Sequence, residues 1–241
     1  MNENELIKLL KDGASEFNIN LEKEDIESFF KYKETLLKWN KNINLTAITD
    51  DRDIIIKHFI DSISVVPYIG KDLKKVIDVG TGAGFPGIPL KIIKKDLNVT
   101  LLDSLEKRTK FLNEVIEKLD LKNIEVIHSR AEDKGVSGDF REKFDLALAR
   151  AVANLPVLLE YCLPFVKTGG TFIAMKGSDI QEELDNSKKA LEILGGEIKD
   201  VIKFNLPSTD IKRNIIIIKK FRHTPTKYPR KSGKPSKAPL I

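Results

Sequence analysis

Apolar residues follow two different spacings along the chain, one near the amino end and another through the middle. Up to about residue 70 they recur at helical spacing, most clearly from Asp25 to Trp39 and over residues 51–66. From about residue 75 to 220, short apolar runs alternate with amphipathic stretches. The pattern predicts a helical amino-terminal region followed by alternating strands and helices.

Seven apolar runs indicate strands, at residues 76–79, 99–103, 124–127, 144–149, 171–175, 201–204 and 215–218. Helical patterns between most of them predict an α/β fold whose largely parallel, Rossmann-like sheet carries helices on both faces. The last two runs leave no room for a helix between them. They should form a hairpin, which makes one closing strand antiparallel.

The composition divides the chain into three parts: a helical extension (1–70), an α/β domain (71–220) and a tail rich in Pro and Lys (221–241). The tail buries little apolar surface, so we expect it to be extended or disordered until it binds a partner.

The net charge of +5 is a property of the tail. Residues 219–241 contain eight Lys or Arg and no acidic residue, while 33 basic residues face 36 acidic ones in the rest of the chain. Such a tail indicates either a polyanionic partner or a solvated terminus. If it binds RNA phosphates, the contacts should come from Arg222, Lys227, Arg230, Lys231, Lys234 and Lys237.

Three features favour a cytoplasmic protein without a membrane partner, and we expect it to be a monomer. The single cysteine, Cys162, excludes an internal disulfide. No apolar run approaches the roughly 20 residues of a membrane span. The first residues are acidic and polar, unlike a secretory signal.

A glycine-rich turn follows the first predicted strand and opens a helix, which is the context of a nucleotide-type site. Gly80, Gly82 and Gly84 let the backbone turn tightly and approach a ligand. The helix behind them offers free N–H groups. Asp103 ends the next strand 21 residues after Gly82, where a carboxylate can accept ribose hydroxyls.

The cofactor itself is ambiguous at this point, because Gly82, Gly84 and Gly87 also fit the dinucleotide fingerprint. Asp78 would repel a pyrophosphate but can bind a ligand's amino group, directly or through water. Pro86 removes a donor that a pyrophosphate needs. With the closing hairpin, these features favour S-adenosylmethionine. An NAD-dependent oxidoreductase and an RNA-binding module with a vestigial cofactor fold remain alternatives.

Residues beyond the turn extend the candidate site. Ala131 and Glu132 follow the third strand, where an adenine amino group would be bound; a solvated acidic loop is the alternative. Phe85 packs either on the cofactor or in the core. Asn40 and Asn44, with Trp39, either face a substrate or hold the helical region to the sheet, and we favour the structural role.

The motifs together resemble those of the bacterial small-subunit rRNA guanine-N7 methyltransferases, the glucose-inhibited division protein B family, over essentially the whole chain. The resemblance rests on Trp39-Asn40, Asn44-Leu45-Thr46, Lys57-His58, Asp61-Ser62, the stretch from Asp78 to Pro89, Leu102-Asp103-Ser104-Leu105, Lys107-Arg108, Arg130-Ala131-Glu132, Ala149-Arg150-Ala151-Val152-Ala153, Lys176-Gly177 and Lys227-Tyr228-Pro229-Arg230-Lys231.

The resemblance implies a class I methyltransferase fold and methyl transfer from S-adenosylmethionine to a guanine N7 in 16S rRNA, free or in the small ribosomal subunit. It also implies that the cofactor site is lined by Gly80, Phe85, Asp103, Ser104, Leu105, Ala131, Glu132 and Arg150.

Guanine N7 carries an available lone pair. Such an enzyme therefore needs to align this nitrogen with the methyl group in a suitable electrostatic field, and it needs no general base. His58, His128 and His223 lack metal-ligand spacing, and we expect no metal. Methyl transfer to N7 places a positive charge on the purine. We therefore expect the cations of Arg150 and Lys176 to contact guanine O6, a phosphate or the cofactor, and not N7. A structural ion pair is the alternative for Arg150.

Overall fold

The chain is built on one seven-stranded sheet in a computed structural model, which describes residues 1–70 and 72–241. The strands are β1 (Lys75–Val79), β2 (Asn98–Asp103), β3 (Ile124–His128), β4 (Phe144–Arg150), β5 (Val166–Lys176), β6 (Gly196–Asn205) and β7 (Lys212–Lys220). Their order is β3-β2-β1-β4-β5-β7-β6, and β7 runs antiparallel to both of its neighbours. The predicted closing hairpin and single antiparallel strand are confirmed, with β7 inserted between β5 and β6.

Helices cover both faces of this sheet. They are α1 (Glu3–Ser15), α2 (Lys23–Asn40), α3 (Asp51–Ile54), α4 (Asp61–Ile63), α5 (Gly87–Ile93), α6 (Glu106–Lys118), α7 (Ala131–Lys134), α8 (Leu155–Cys162), α9 (Gln181–Asn186), α10 (Lys188–Leu194) and α11 (Lys234–Lys237). A π-helical stretch, Ile55–Ile60, joins α3 to α4. No helix in the described ranges is long and apolar enough to cross a membrane.

Two apolar cores flank the sheet, and successive residues of β1 alternate between them. Val76 belongs to the core that contains α1, α2, α5 and α6, whereas Ile77 and Val79 belong to the core that contains α8 and α10. A strand buried on both faces has no solvent-facing side. This explains why the central strands appear in the sequence as continuous apolar runs.

The order of the strands places a crevice at their carboxyl ends. The chain passes from β1 outward to β2 and β3, then returns to place β4 on the other side of β1. In open α/β sheets, ligands bind at the point where this order reverses. The glycine turn after β1 and the loop after β4 both lie at that point.

Trp39, for which we favoured a structural role, holds the helical region to α6. Trp39 donates from Nε1 to Glu114 of α6 at 2.8 Å, and its ring packs edge-on against Phe111. Asn40 closes the following turn, since its Oδ1 accepts from the N–H groups of Leu45 and Thr46 at 2.9 and 3.0 Å. The structural role is confirmed for Trp39, whereas Asn40 stabilises a turn within the helical region and Asn44 is exposed in that turn.

The tail differs from the expectation, because it follows a defined path over the face of the sheet that α8 and α10 cover. Tyr228 is buried in the core there. Arg141 donates to the backbone oxygens of Thr224 at 2.7 Å and Tyr228 at 2.8 Å. One side chain thus satisfies carbonyls that a proline-rich segment cannot pair with itself. The prediction of an extended or disordered tail was wrong for this reason.

Candidate functional site

The glycine turn follows β1 at the carboxyl edge of the sheet, and its first glycine, Gly80, lines the crevice there. Gly80, Gly82 and Gly84 all have left-handed backbone angles, with φ of 71°, 61° and 93°. The N–H groups of Gly80 and Thr81 donate to the Leu102 oxygen of β2, at 2.8 and 3.1 Å. The turn therefore needs glycine for its conformation and is fixed to the neighbouring strand.

Asp78 lies fully buried beneath the turn. Its Oδ2 accepts from the Thr81 hydroxyl at 2.6 Å and from the Gly87 N–H at 2.8 Å, which ties β1 to α5. Its Oδ1 has no hydrogen-bond partner within the described residues. Burial raises the pKa of this carboxyl to about 6, although both hydrogen bonds oppose the shift. An unsatisfied buried carboxylate oxygen suits the ammonium group of an amino-acid ligand.

Asp103 lies at the end of β2 and faces the same crevice. Its Oδ2 accepts from the Gly82 N–H and its Oδ1 from the Leu105 N–H, both at 2.9 Å. The cleft beside it is lined by Val79, Gly80, Leu102, Asp103, Ser104, Ser129, Arg130, Ala131, Glu132, Val152 and Tyr161. Of the residues predicted for the cofactor, five line this cleft, namely Gly80, Asp103, Ser104, Ala131 and Glu132, while Asp78, Gly82 and Gly84 belong to β1 and the turn that adjoin it.

Three predicted cofactor residues lie elsewhere, and one of them, Arg150, lines the second cavity described below. Leu105 is half exposed and lines a neighbouring cleft, with the 42–45 turn and Arg108. Phe85 is buried between Tyr32 and His58 and lines neither cleft, so the core alternative applies to it. Val152 and Tyr161, which sequence analysis missed, line the cofactor cleft. Val152 stands in one of the motifs on which the resemblance rests, whereas Tyr161 stands in none, and only the path of the chain brings Tyr161 there.

A second cavity of about 380 Å³ opens on the other side of the loop after β4. It is lined by Ile48, Lys57, His58, Asp61, Arg150, Ala151, Met175, Lys176, Gly177 and Arg213. Ala151 lines this cavity and Val152 lines the cofactor cleft, so both hollows flank one loop. Arg150 and Lys176 both line this cavity, because they stand at the adjacent ends of β4 and β5.

Arg150 is anchored by Asp61, a residue to which sequence analysis gave no role. Its guanidinium lies 3.0 Å from Asp61 Oδ2 and donates to the Lys57 oxygen at 3.2 Å. Arg213 of β7 contacts the other oxygen of Asp61 at 3.2 Å. Asp61 is almost fully buried, and one carboxylate therefore serves two guanidinium groups. The ion pair that we considered as an alternative for Arg150 exists, and it lies inside the cavity.

Lys176 is neutralised in the same way. Its ammonium lies 2.7 Å from Glu183 of α9 and donates to the Ala153 oxygen at 2.9 Å. Arg150, Arg213 and Lys176 thus face the cavity as members of ion pairs. Lys57, the remaining lysine of the lining, pairs with Asp53 at 2.7 Å.

The cavity holds one imidazole, His58, and it is a weak base. Its ring stacks on Phe85 with 4.5 Å between centroids, and its Nε2 lies 2.8 Å from the Thr46 hydroxyl. Burial, and then the charge of Arg150, lower the pKa of His58 to about 3. The ring is therefore neutral at pH 7 and has little capacity to take up a proton.

The thiol of Cys162 and the imidazoles of His128 and His223 lie away from this cavity. Cys162 is fully buried in the second core, and burial raises the pKa of its thiol well above the usual value. His128 contacts the Ser104 oxygen at 3.1 Å, and His223 contacts Glu142. Cys162 is therefore a core residue.

The tail cations proposed for RNA fall into two groups. Five of them are exposed: Arg222, Lys227, Lys231, Lys234 and Lys237. Arg230 instead forms a bidentate ion pair with Glu160, with its NH2 group 2.6 Å from Oε2 and its Nε 2.9 Å from Oε1. Glu160 is buried, so the guanidinium of Arg230 is committed to the protein. The assignment of Arg230 to RNA phosphates is withdrawn on this ground.

Comparison with known proteins gives consistent matches over nearly the whole chain. Residues 25–216 match the family model GidB, described as rRNA small subunit methyltransferase G. A ribosomal RNA small subunit methyltransferase G from Acetivibrio thermocellus is 68% identical over 235 residues, 98% of this chain and 97% of the relative. One from Alkaliphilus oremlandii is 53% identical over 239 residues, 98% of this chain and 99% of the relative.

A solved structure shares the fold. TYW2 from M. jannaschii, in complex with AdoMet, superposes with a TM-score of 0.51 at 17% identity, over 64% of this chain and 72% of that one. At this identity, the likeness concerns the fold alone.

Proposed function

The chain belongs to the GidB family of small-subunit rRNA methyltransferases, and on that premise we propose that it methylates N7 of a guanine in 16S rRNA. The family membership confirms the resemblance found in the sequence, and the chain is an S-adenosylmethionine-dependent methyltransferase. An enzyme with this substrate works in the cytoplasm.

The pairing of every cavity cation with a carboxylate is the observation that carries the choice of N7. When bound, S-adenosylmethionine supplies a methyl group on a positively charged sulfur. A ring nitrogen with a free lone pair accepts it without losing a proton, and the purine becomes positive. Asp61 and Glu183 bring two negative charges to the three positive charges of Arg150, Arg213 and Lys176, which lowers their net charge to +1. The field in the cavity therefore opposes the developing charge much less than three unpaired cations would.

The bases in the cavity agree with this acceptor. His58, with a pKa of about 3, is a poor general base, and both oxygens of Asp61 are engaged by guanidinium groups. Guanine N7 needs neither. An amino or hydroxyl acceptor would have to lose a proton and would be served badly here. The N7 edge is inaccessible in the deep groove of an A-form helix, so the target guanine should be exposed in a loop.

Arg150 and Lys176 position the base through O6 or a flanking phosphate in this proposal. Arg150→Ala and Lys176→Ala should each lower kcat by about 10- to 100-fold at saturating cofactor, in the range of a lost electrostatic contact. Methyl transfer from labelled S-adenosylmethionine to small-subunit rRNA measures this.

A matched control lies on the same strand. Lys167, at the opposite end of β5 from Lys176, also pairs with a carboxylate, Asp145 at 2.6 Å. Lys167→Ala should leave kcat unchanged. Unimpaired turnover in both Arg150→Ala and Lys176→Ala would remove these residues from the site.

Asp78 is proposed to bind the amino group of the cofactor through its unpaired Oδ1. The group must be ionised to do so, and its pKa of about 6 means that it becomes protonated as the pH falls from 7 to 5. We therefore expect the Kd for S-adenosylmethionine to rise about tenfold over that range. Calorimetric titrations at several pH values test this, with Asp78→Asn as a control that should bind weakly at every pH. A wild-type Kd that stays constant from pH 5 to 7 would contradict the role.

The exposed tail lysines are proposed to bind RNA phosphates. Lys234 and Lys237 lie three residues apart on α11. Replacing both with alanine should reduce the slope of log affinity against log salt by about 1.5, since each phosphate contributes roughly 0.7 to 0.9. Lys8 and Lys11 of α1, exposed at the same spacing, provide a matched double variant that should leave the slope unchanged. Equal slopes for both double variants would exclude α11 from the RNA interface.

A further inference from the structure

The carboxyl-terminal segment lies against the outer wall of the cofactor cleft. This wall consists of α7, which carries Ala131 and Glu132, and of Tyr161 on α8. We propose that residues 228–237 position this wall and thereby set the affinity for the cofactor. The proposal rests on cofactor binding by this chain and is independent of which RNA atom is methylated.

Arg230 anchors the segment to α8. Its Nε contacts both oxygens of Glu160, at 2.9 and 3.1 Å, and its backbone N–H donates to Oε1 at 2.7 Å. Glu160 is 1% exposed, so these contacts are shielded from solvent. The next residue along α8 is Tyr161, which lines the cleft. The ion pair therefore attaches the segment to α8 at the residue that precedes Tyr161.

Three further hydrogen bonds join the segment to the wall itself. The Gly233 N–H donates to Glu132 Oε1 at 2.9 Å, and the Ser232 hydroxyl donates to Asp133 at 3.0 Å. The Ser236 hydroxyl lies 2.7 Å from that of Tyr161. Two residues that line the cleft, Glu132 and Tyr161, thus hydrogen-bond to the tail.

The wall needs this support because α7 is a single turn. A helix of four residues is not stable by itself in water, since nucleating a helix costs more free energy than the hydrogen bonds of one turn contribute. Pro229 packs closely behind it, and a Cβ added to Gly135 would lie 3.0 Å from the proline ring. With the tail in place, Ala131 and Glu132 are held before the cofactor arrives, which lowers the entropy lost on binding. A basic tail that binds RNA would also transmit that contact to the cofactor cleft.

Direct binding of S-adenosylhomocysteine, measured by calorimetry without RNA, tests the proposal. Arg230→Ala should raise the Kd about tenfold, and the milder Ser236→Ala two- to threefold. Both measurements are made well below the melting temperature of each variant. At saturating cofactor, kcat should change little in either variant.

Asp145→Ala is the control for a loss of stability alone. Asp145 accepts from the Lys74 and Lys75 N–H groups at the far end of the sheet, 2.9 and 2.8 Å away. This variant should lower Tm and leave the Kd unchanged. An unaltered Kd in Arg230→Ala and Ser236→Ala would overturn the proposal, as would a Kd in Asp145→Ala raised as much as in Arg230→Ala. If Arg230→Ala does not fold, Ser236→Ala decides.

Discussion

Replacing Gly84 with alanine is expected to weaken S-adenosylmethionine binding at least a hundredfold. Gly84 has a φ of +93°, and a Cβ there would lie 2.6 Å from the Tyr32 hydroxyl and from Ile88 Cδ1. The left-handed backbone costs roughly 1–2 kcal/mol and overpacking roughly 1–3 kcal/mol more. Tyr32 is fully buried and hydrogen-bonded to the Ala83 oxygen, so the turn must move instead.

Gly169→Ala separates the clash from the backbone strain. Gly169 has a similar φ of +83°, but a Cβ there would have no atom within 4 Å among the described residues. This variant should lose stability and keep its Kd for the cofactor. Calorimetric titration of both variants gives the comparison. A Gly84→Ala variant that binds as tightly as Gly169→Ala would show that the turn is not the cofactor's support.

Asp61→Asn is expected to lower kcat about a hundredfold without changing cofactor affinity. The substitution keeps the shape of the side chain and removes the charge shared by Arg150 and Arg213. An uncompensated cation at roughly 6 Å, at an effective ε of about 20, raises the energy of a developing positive charge by about 2.8 kcal/mol. Single-turnover methyl transfer at saturating cofactor isolates this step.

Asp51→Asn is the matched control for Asp61→Asn. Asp51 begins the same helical segment and pairs with Lys33 at 2.7 Å, but it is partly exposed. Its loss should cost at most about 1 kcal/mol of stability and leave kcat intact. If Asp61→Asn transferred methyl groups at the wild-type rate, compensation of the arginines would not be part of catalysis.

The sequence was sufficient for those parts of the site that lie at strand ends. Gly80, Gly82 and Gly84 follow an apolar run, and Asp103 ends the next one. Because the carboxyl ends of parallel strands share one edge of a sheet, their meeting follows from the pattern. Arg150 and Lys176 likewise follow apolar runs, so the same rule places both at this edge of the sheet.

The sequence was insufficient where contacts join distant segments. Asp61 lies 89 residues from Arg150 and 152 from Arg213, on a helix whose apolar stripe gives no sign of an ion pair. Tyr161 reaches the cofactor cleft only because α8 packs against the sheet. For a residue such as Asp61, the sequence is the same whether the carboxylate is solvated or is shared by two arginines.

The tail shows the same limit for composition. Its lysines and prolines are typical of a disordered segment, and composition takes no account of a partner elsewhere in the chain. Arg141 and Glu160 supply that partner. As a result, deletion of the whole tail would not isolate its contribution to RNA binding, and point variants at exposed lysines are the sharper test.

Mapping of methylated guanines in small-subunit rRNA tests the central claim most directly. Unmodified 16S rRNA, free and in small subunits, is incubated with the enzyme and S-adenosylmethionine, then digested and analysed by mass spectrometry, with chemical cleavage at N7-methylated guanine to locate the atom. We expect one exposed guanine to gain a single methyl group at N7. A methyl group on another atom or another base, or none in either substrate, would contradict the proposal.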